Sequence, residues 1–391
     1  MPTTPSVQGA ASPRPVAGEL TASWLSRLAA VYRLPARDLL RAITGPLPGR
    51  PLAAIPAPGR EVYLGPKARQ RLALFAGIRQ EDLGRRLPAA AHAHPLGTDR
   101  GPLWTDWYVP HRPWHTACGP CSRRHTRHPR LARPTPVLVY VTGARHICQR
   151  HRRWLLATWD TPSFIDLTHF PEILNAHRRH MRLLRERPDA NDALAYACAV
   201  VWSWQSAAWP EEHLWPRRTA ALARLLGLDN PLEVAAHPLI PYPETIAVAE
   251  FLATPAWRHQ VPHASPRART RASTQAAGTV HAELAHRTGR PWLPQRLAEA
   301  ARACGRRRGL PDPLQHWLDG CIRARAAPST ATNRALLWTL PSMAQAPEHY
   351  DDRTGLLHHG PRPSSTRAHA LGLTGGWHVP TERSLRLTTP P

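Results

Sequence analysis

Lysine is nearly missing from this chain: Lys67 is the only one in 391 residues. Acids are sparse as well, with Asp+Glu 27 against Lys+Arg 51, which leaves a net charge of +24. GC-rich codon usage accounts for arginine standing in for lysine, but not for the surplus of bases over acids. A field of that sign attracts polyanions, and nucleic acid is the commonest of them. No apolar run approaches the roughly 18 residues that a membrane-spanning helix needs, so a membrane partner is not expected. The opening stretch, Met1 to Val16, lacks the charged start and apolar middle of a secretory signal. Six cysteines are too few to staple a chain of this length. Reduced thiols and a cytoplasmic location are the simpler expectation. Walker loops, dinucleotide fingerprints, nucleophile elbows and His-Glu-x2-His helices are all absent from the sequence, and no enzyme is expected.

What is present is 42% hydrophobic residues, enough for two or three cores, cut into short pieces by 44 prolines. The pattern predicts a mainly α, multi-domain fold: N-terminal helix-turn-helix-like helices, a small zinc-ribbon-like insert and a C-terminal helical array. Residues 1–17 read as a disordered lead and 18–90 as the helix-turn-helix-like domain. Residues 91–165 read as a zinc-knuckle domain rich in Trp, His and Cys, with one strand-like run from Val137 to Thr142. Helical periodicity returns over 166–257, followed by a basic linker over 258–280. A last helical region spans 281–340, and an aperiodic tail expected to be disordered spans 341–391.

One internal repeat stands out. Leu28-Ala29, Arg33-Leu34 and Leu39 share the spacing of Leu72-Ala73, Gly77-Ile78 and Leu83. This is the core spacing of a helix-turn-helix: a small residue where the helices cross, a turn needing positive φ, and apolar residues locking the pair. Gln80-Glu81-Asp82 suits the first turn of the following helix, where carboxylates meet the positive end of the dipole. Arg33 gives the first copy a weaker turn signal than Gly77 gives the second. Ordinary helical hairpins have the same spacing, and on either reading Trp24, Leu25, Leu28, Leu34, Leu39 and Leu40 are core candidates.

The sharpest chemical signal is Cys118-Gly-Pro-Cys121 with Cys148-Gln-Arg-His151. Each knuckle turns two donors to one side, and two knuckles complete a tetrahedron with no open position, the mark of one structural Zn2+. Such an ion would stabilise a region too polar and Pro-rich to fold alone. His115, His125, His128 and His146 are alternative fourth ligands. A redox reading of Cys118-x2-Cys121 lacks the strand and helix that thioredoxin-like pairs require. Cys198, Cys304 and Cys321 read as small buried hydrophobes on helices. The pairs His177/His180 and His358/His359 read as solvated. Trp104, Trp107, His111 and Trp114 are candidates for a base-stacking surface, though a core cluster is the commoner outcome.

Gly18-Glu-Leu-Thr-Ala-Ser-Trp-Leu-Ser-Arg-Leu-Ala29 resembles the opening segment of the TniQ family, the target-selection proteins of a group of transposons. Leu72 to Leu83 resembles that family's next helix pair, and the two knuckles resemble its zinc ligands. Tyr242 to Trp257 is similar to a segment of some members. The first three cover roughly 18–160. Many members carry a further Cys-x2-Cys after the histidine. Trp154 to Phe164 has none, so one zinc is expected. The resemblance implies a non-catalytic adaptor that selects target DNA and recruits a transposition AAA+ ATPase, or that reads a DNA-bound targeting complex. A homodimer is a further partner to consider.

For double-stranded DNA, the candidate contacts around the second helix pair are Arg69, Arg71, Arg79, Arg85 and Arg86. Around the knuckles they are Arg123, Arg124, Arg150, Arg152 and Arg153. The competing reading is a helical protein–protein scaffold, or a stand-alone DNA-binding regulator, in which zinc is purely structural. A metal-dependent nuclease hidden among the histidines is the remotest reading, because no transposase-like carboxylate set is recognisable.

Overall fold

The computed structural model describes residues 13–44, 61–91, 114–126, 136–140, 146–156, 164–235, 237–260, 269–306, 313–325, 338, 348–351 and 356–359. It is mainly helical, with small antiparallel sheets. None of the described helices is long and apolar enough to cross a membrane.

The N-terminal part is a cluster of five helices: α1 (Thr21–Val31), α2 (Ala36–Thr44), α3 (Pro66–Ala76), α4 (Gln80–Arg86) and the short α5 (Pro88–Ala91). They close over Trp24, Leu25, Leu28, Leu39, Leu40, Leu72 and Leu83, all at most 1% exposed. Leu34, expected in this core, is instead 45% exposed. It sits just past the turn, where the chain has to leave the surface of α1 before α2 begins.

The repeat is exact at the level of backbone hydrogen bonds. Leu34 N donates to Ala29 O at 2.9 Å and Arg33 N to Ala30 O at 3.1 Å; Ile78 N donates to Ala73 O at 3.0 Å and Gly77 N to Leu74 O at 3.2 Å. Both are Schellman endings, which need a left-handed residue. Gly77 supplies it at φ 63°, and Arg33 supplies it at φ 56°. A left-handed L-residue costs roughly 1–2 kcal/mol that glycine does not, partly offset by glycine's freer unfolded chain. Arg33→Gly is therefore expected to stabilise the protein by about 1 kcal/mol, read as a higher urea midpoint with unchanged slope. A lower midpoint would mean that the exposed arginine side chain contributes more than its backbone costs.

Strands β1 (Trp114–Thr116) and β2 (Leu138–Tyr140) pair antiparallel, with His115 opposite Val139. The chain just before α1 joins this sheet: Leu20 N donates to Leu138 O at 2.9 Å, and Tyr140 N donates to Gly18 O at 2.8 Å. Leu20, Trp114, Leu138 and Tyr140 form a small core at the seam. Trp114 is thus a packing residue and not part of an exposed stacking surface. Trp104, Trp107 and His111 lie outside the described residues.

Buried polar groups tie the same seam. Glu19 and Arg27 pair at 2.7 Å with both side chains fully buried. Ser23 Oγ donates to Glu19 at 3.0 Å and accepts from Leu138 N, also at 3.0 Å. Tyr140 Oη donates to Glu61 at 2.6 Å, and Ala22 N and Val62 N donate to the other Glu61 oxygen. Burial outweighs these donors and pushes the Glu61 carboxyl up to about 7.

After α6 (Gly119–Thr126), strands β3 (Ile147–Cys148), β4 (Arg153–Leu155) and β5 (Phe164–Asp166) form a second antiparallel sheet. Ile147, Trp154 and Ile165 turn its inner face into the largest core. That core is otherwise helical, built from α7 (Pro171–Glu186), α8 (Ala190–Ser206), α9 (Leu214–Leu225) and α10 (Tyr242–Ala253). The chain continues through α11 (Pro255–Gln260), α12 (Arg269–Thr288), α13 (Leu293–Arg306) and α14 (Pro313–Arg325). Helix α10 is its centre, with Tyr242, Ile246, Val248, Ala249, Phe251 and Leu252 all fully buried. The stretch expected as a linker over 258–280 is helical from Arg269 onward, because Ala272, Ala277 and Val280 supply an apolar face. The tail expected to lack regular structure contains an antiparallel hairpin, β6 (Glu348–Asp351) with β7 (Leu356–His359).

Candidate metal centre

Two short arms carry the cluster. In the first, Cys118 sits just before α6, and its carbonyl accepts from Ser122 N at 2.9 Å to start that helix. The helix turn brings Cys121 back beside Cys118. In the second, Cys148 ends β3, and a tight turn through Arg152, at φ 49°, places His151 on the same side. The two arms are tied directly by Thr116 N, which donates to Leu156 O at 3.0 Å, while Ala117 N donates at 2.7 Å to Val137 O, just before β2.

The donor atoms of Cys118, Cys121, Cys148 and His151 all lie within 4.8 Å of one another, and these four could hold one metal ion. His151 Nδ1 is 3.4 Å from Cys118 Sγ, 3.2 Å from Cys121 Sγ and 3.6 Å from Cys148 Sγ. Cys121 Sγ and Cys148 Sγ are 3.6 Å apart. A tetrahedron with metal–sulfur bonds of about 2.3 Å and metal–nitrogen bonds of about 2.05 Å has edges of about 3.8 Å (S···S) and 3.6 Å (S···N). The observed spacing is close to those edges.

Without a cation the cluster opposes its own ionisation. Burial first, then the neighbouring thiols, push Cys121 up to about 12, and burial also raises Cys118. A bound cation reverses that balance, because it is the thiolates that coordinate.

The four donors are those the sequence points to. Two of the four alternative ligands, His115 and His146, are placed elsewhere. His115 is buried, with Nδ1 3.1 Å from Thr116 O. His146 packs on Trp154 at 4.5 Å and Tyr242 at 5.6 Å between ring centroids. The side chain of His125 and the whole of His128 lie outside the described residues.

His177 and His180, expected in solvent, are buried instead, each with Nδ1 3.0 Å from Tyr242 Oη. Burial pushes them down to about 4 and about 3, so both are neutral at pH 7. The signal for this was in the sequence: they share the apolar face of α7 with Ile173, Ala176 and Leu183. Among the other cysteines, Cys321 is buried as expected, Cys198 is half-buried, and the side chain of Cys304 is not described.

Several arginines proposed for DNA have tasks within the fold. Arg69 donates to Ala90 O at 2.6 Å, Arg71 to Ile43 O at 3.2 Å and Arg86 to Pro15 O at 3.2 Å. Arg79 and Arg85 are 76% and 70% exposed and flank Asp82 at 3.0 and 2.7 Å. Their guanidinium groups hold the Asp82 carboxyl below its ordinary range. Arg153 stacks 3.8 Å above the Phe164 ring. Arg123, Arg150 and Arg152 are exposed beside the cluster, and the Arg124 side chain is not described. Comparison of the chain with family models, with curated proteins and with solved structures finds no match.

Proposed function

We propose that this chain is a non-catalytic, zinc-containing DNA-binding adaptor of the TniQ kind, one that selects target DNA and recruits a transposition ATPase. The observation that carries the reading is the closed four-donor cluster. Three thiols and one imidazole at tetrahedral spacing suit Zn2+ and leave no position for substrate, which is the donor set of a structural site. The parts around it support the same reading. Two helix pairs with matching Schellman turns precede the cluster, and a helical core follows it. The buried Glu19–Arg27 pair and Trp24 explain why the opening segment that resembles TniQ needs those residues.

The test is duplex-DNA binding by the metal-loaded protein across a salt series. A slope of several units in log K against log salt is expected, since each neutralised phosphate contributes about 0.9. Absence of binding at low salt would remove DNA from the reading. The scaffold reading would then lead, and one observation already favours it: Arg69, Arg71 and Arg86 bind the protein's own carbonyls.

A further inference from the structure

Helix α7 has two faces that differ in kind. Its inner face, with Ile173, Ala176, His177, His180 and Leu183, is buried in the helical core. On the outer face Arg178, Arg182 and Arg185 stand exposed at i, i+4 and i+7. Residues at this spacing form one row on a helix. The helix's remaining arginine, Arg179, is paired with Glu250 on α10, and Arg187, just past its end, donates to Ala253 O at 2.9 Å. Along the row, only Arg178 has a partner among the described residues, the neutral side chain of Asn175. Glu186, four residues beyond Arg182, is exposed and closes no ion pair with it.

We propose that this row on α7 is a phosphate-tracking surface for double-stranded nucleic acid. The inference rests on the DNA-adaptor reading and moves the main contact from the helix pairs to the helical core. Seven residues of helix advance about 10.5 Å, and three steps of a duplex strand advance about 10.2 Å. Three steps are bounded by four phosphates, so the three guanidinium groups can reach three phosphates of that run along one strand. The engagement of Arg69, Arg71 and Arg86 within the N-terminal helices points the same way, because charge already bonded to carbonyls is less available to a ligand.

The experiment compares the full-length wild type with Arg178→Gln/Arg182→Gln/Arg185→Gln on a 30-base-pair duplex of arbitrary sequence. Three lost phosphate contacts lower the salt slope by about 2.7. Between 50 and 200 mM salt the wild type should therefore weaken about fortyfold more than the variant. The triple Arg→Lys variant keeps the charge and should keep the wild-type slope. The single Arg182→Gln, expected to lower the slope by about 0.9, serves if the triple variant does not fold. A variant that folds and binds with the wild-type slope overturns the α7 surface while leaving the adaptor reading intact. A wild type that does not bind duplex at all removes both.

Discussion

Chelating the metal, or replacing Cys148 with serine, is expected to unfold the region around the cluster while the helical core stays folded. The elements holding the donors are too short to persist alone. Strands β1 and β2 have three residues each, β3 has two, and α6 has eight. Isolated hairpins and helices of that size are marginal in water at best. Structural zinc in comparable peptides contributes about 10–16 kcal/mol of binding energy, far more than such elements supply themselves. Metal analysis should find one ion per chain. Its removal should lower the first melting transition by about 10 °C or more and raise amide exchange across 114–126 and 146–156. The helices from α7 onward supply most of the largest core, to which the β3–β5 sheet adds only a few residues, so a second, chelator-insensitive transition should remain. A single transition indifferent to chelator would show that the four donors are a packed thiol cluster without metal.

Glu244→Ala is the point substitution in the helical core with the largest expected cost, about 3–5 kcal/mol. The carboxylate is 2% exposed. It accepts from Arg218 at 2.8 and 3.0 Å, from Arg290 at 3.0 Å and from the Trp215 indole at 3.1 Å. Removing it leaves two guanidinium groups side by side in a buried site, with Glu212 for Arg290 and Glu172 for Arg218 as their remaining charged partners among the described residues. Burial alone would raise the Glu244 carboxyl, but Arg218 and Arg290 together outweigh it, and the net displacement is downward.

A depressed carboxyl contributes stability above its unfolded value of about 4.5 and loses it as pH falls through the lower folded value. Urea unfolding of wild type and Glu244→Gln at pH 7 and below pH 4 should therefore converge in acid. Curves that stay equally far apart at both pH values would mean that the carboxylate's charge is not what stabilises the site.

The four-donor cluster was legible because its donors are local pairs: a Cys-x2-Cys or Cys-x2-His turn is specified within four residues. The Schellman turns were legible for the same reason, with Gly77 announcing one and the parallel spacing around Arg33 announcing the other. What stayed hidden depends on distant partners. Nothing near Glu61 indicates that Tyr140 will donate to it, and nothing near Glu244 indicates that Arg290 will. The apolar face of α7 was visible, but its histidines were read by their polarity and not by their position on that face. Arginine is ambiguous in sequence for a related reason. Arg69 and Arg182 look alike until the fold places a carbonyl in front of one and solvent in front of the other.

The seam between residues 18–20 and β2 also has a consequence in time. Leu20 cannot pair with Leu138 until about 120 more residues have been made. At about 5–20 residues per second, a growing chain waits about 6–24 s with that edge open. During this interval the N-terminal helices can close on each other, but Leu20, Ser23 and Glu61 lack their β2 partners. This segment is thus translated well before β2 and completed only with it. A nascent-chain chaperone working on this protein should be needed most while the ribosome is between the codons for α5 and β2.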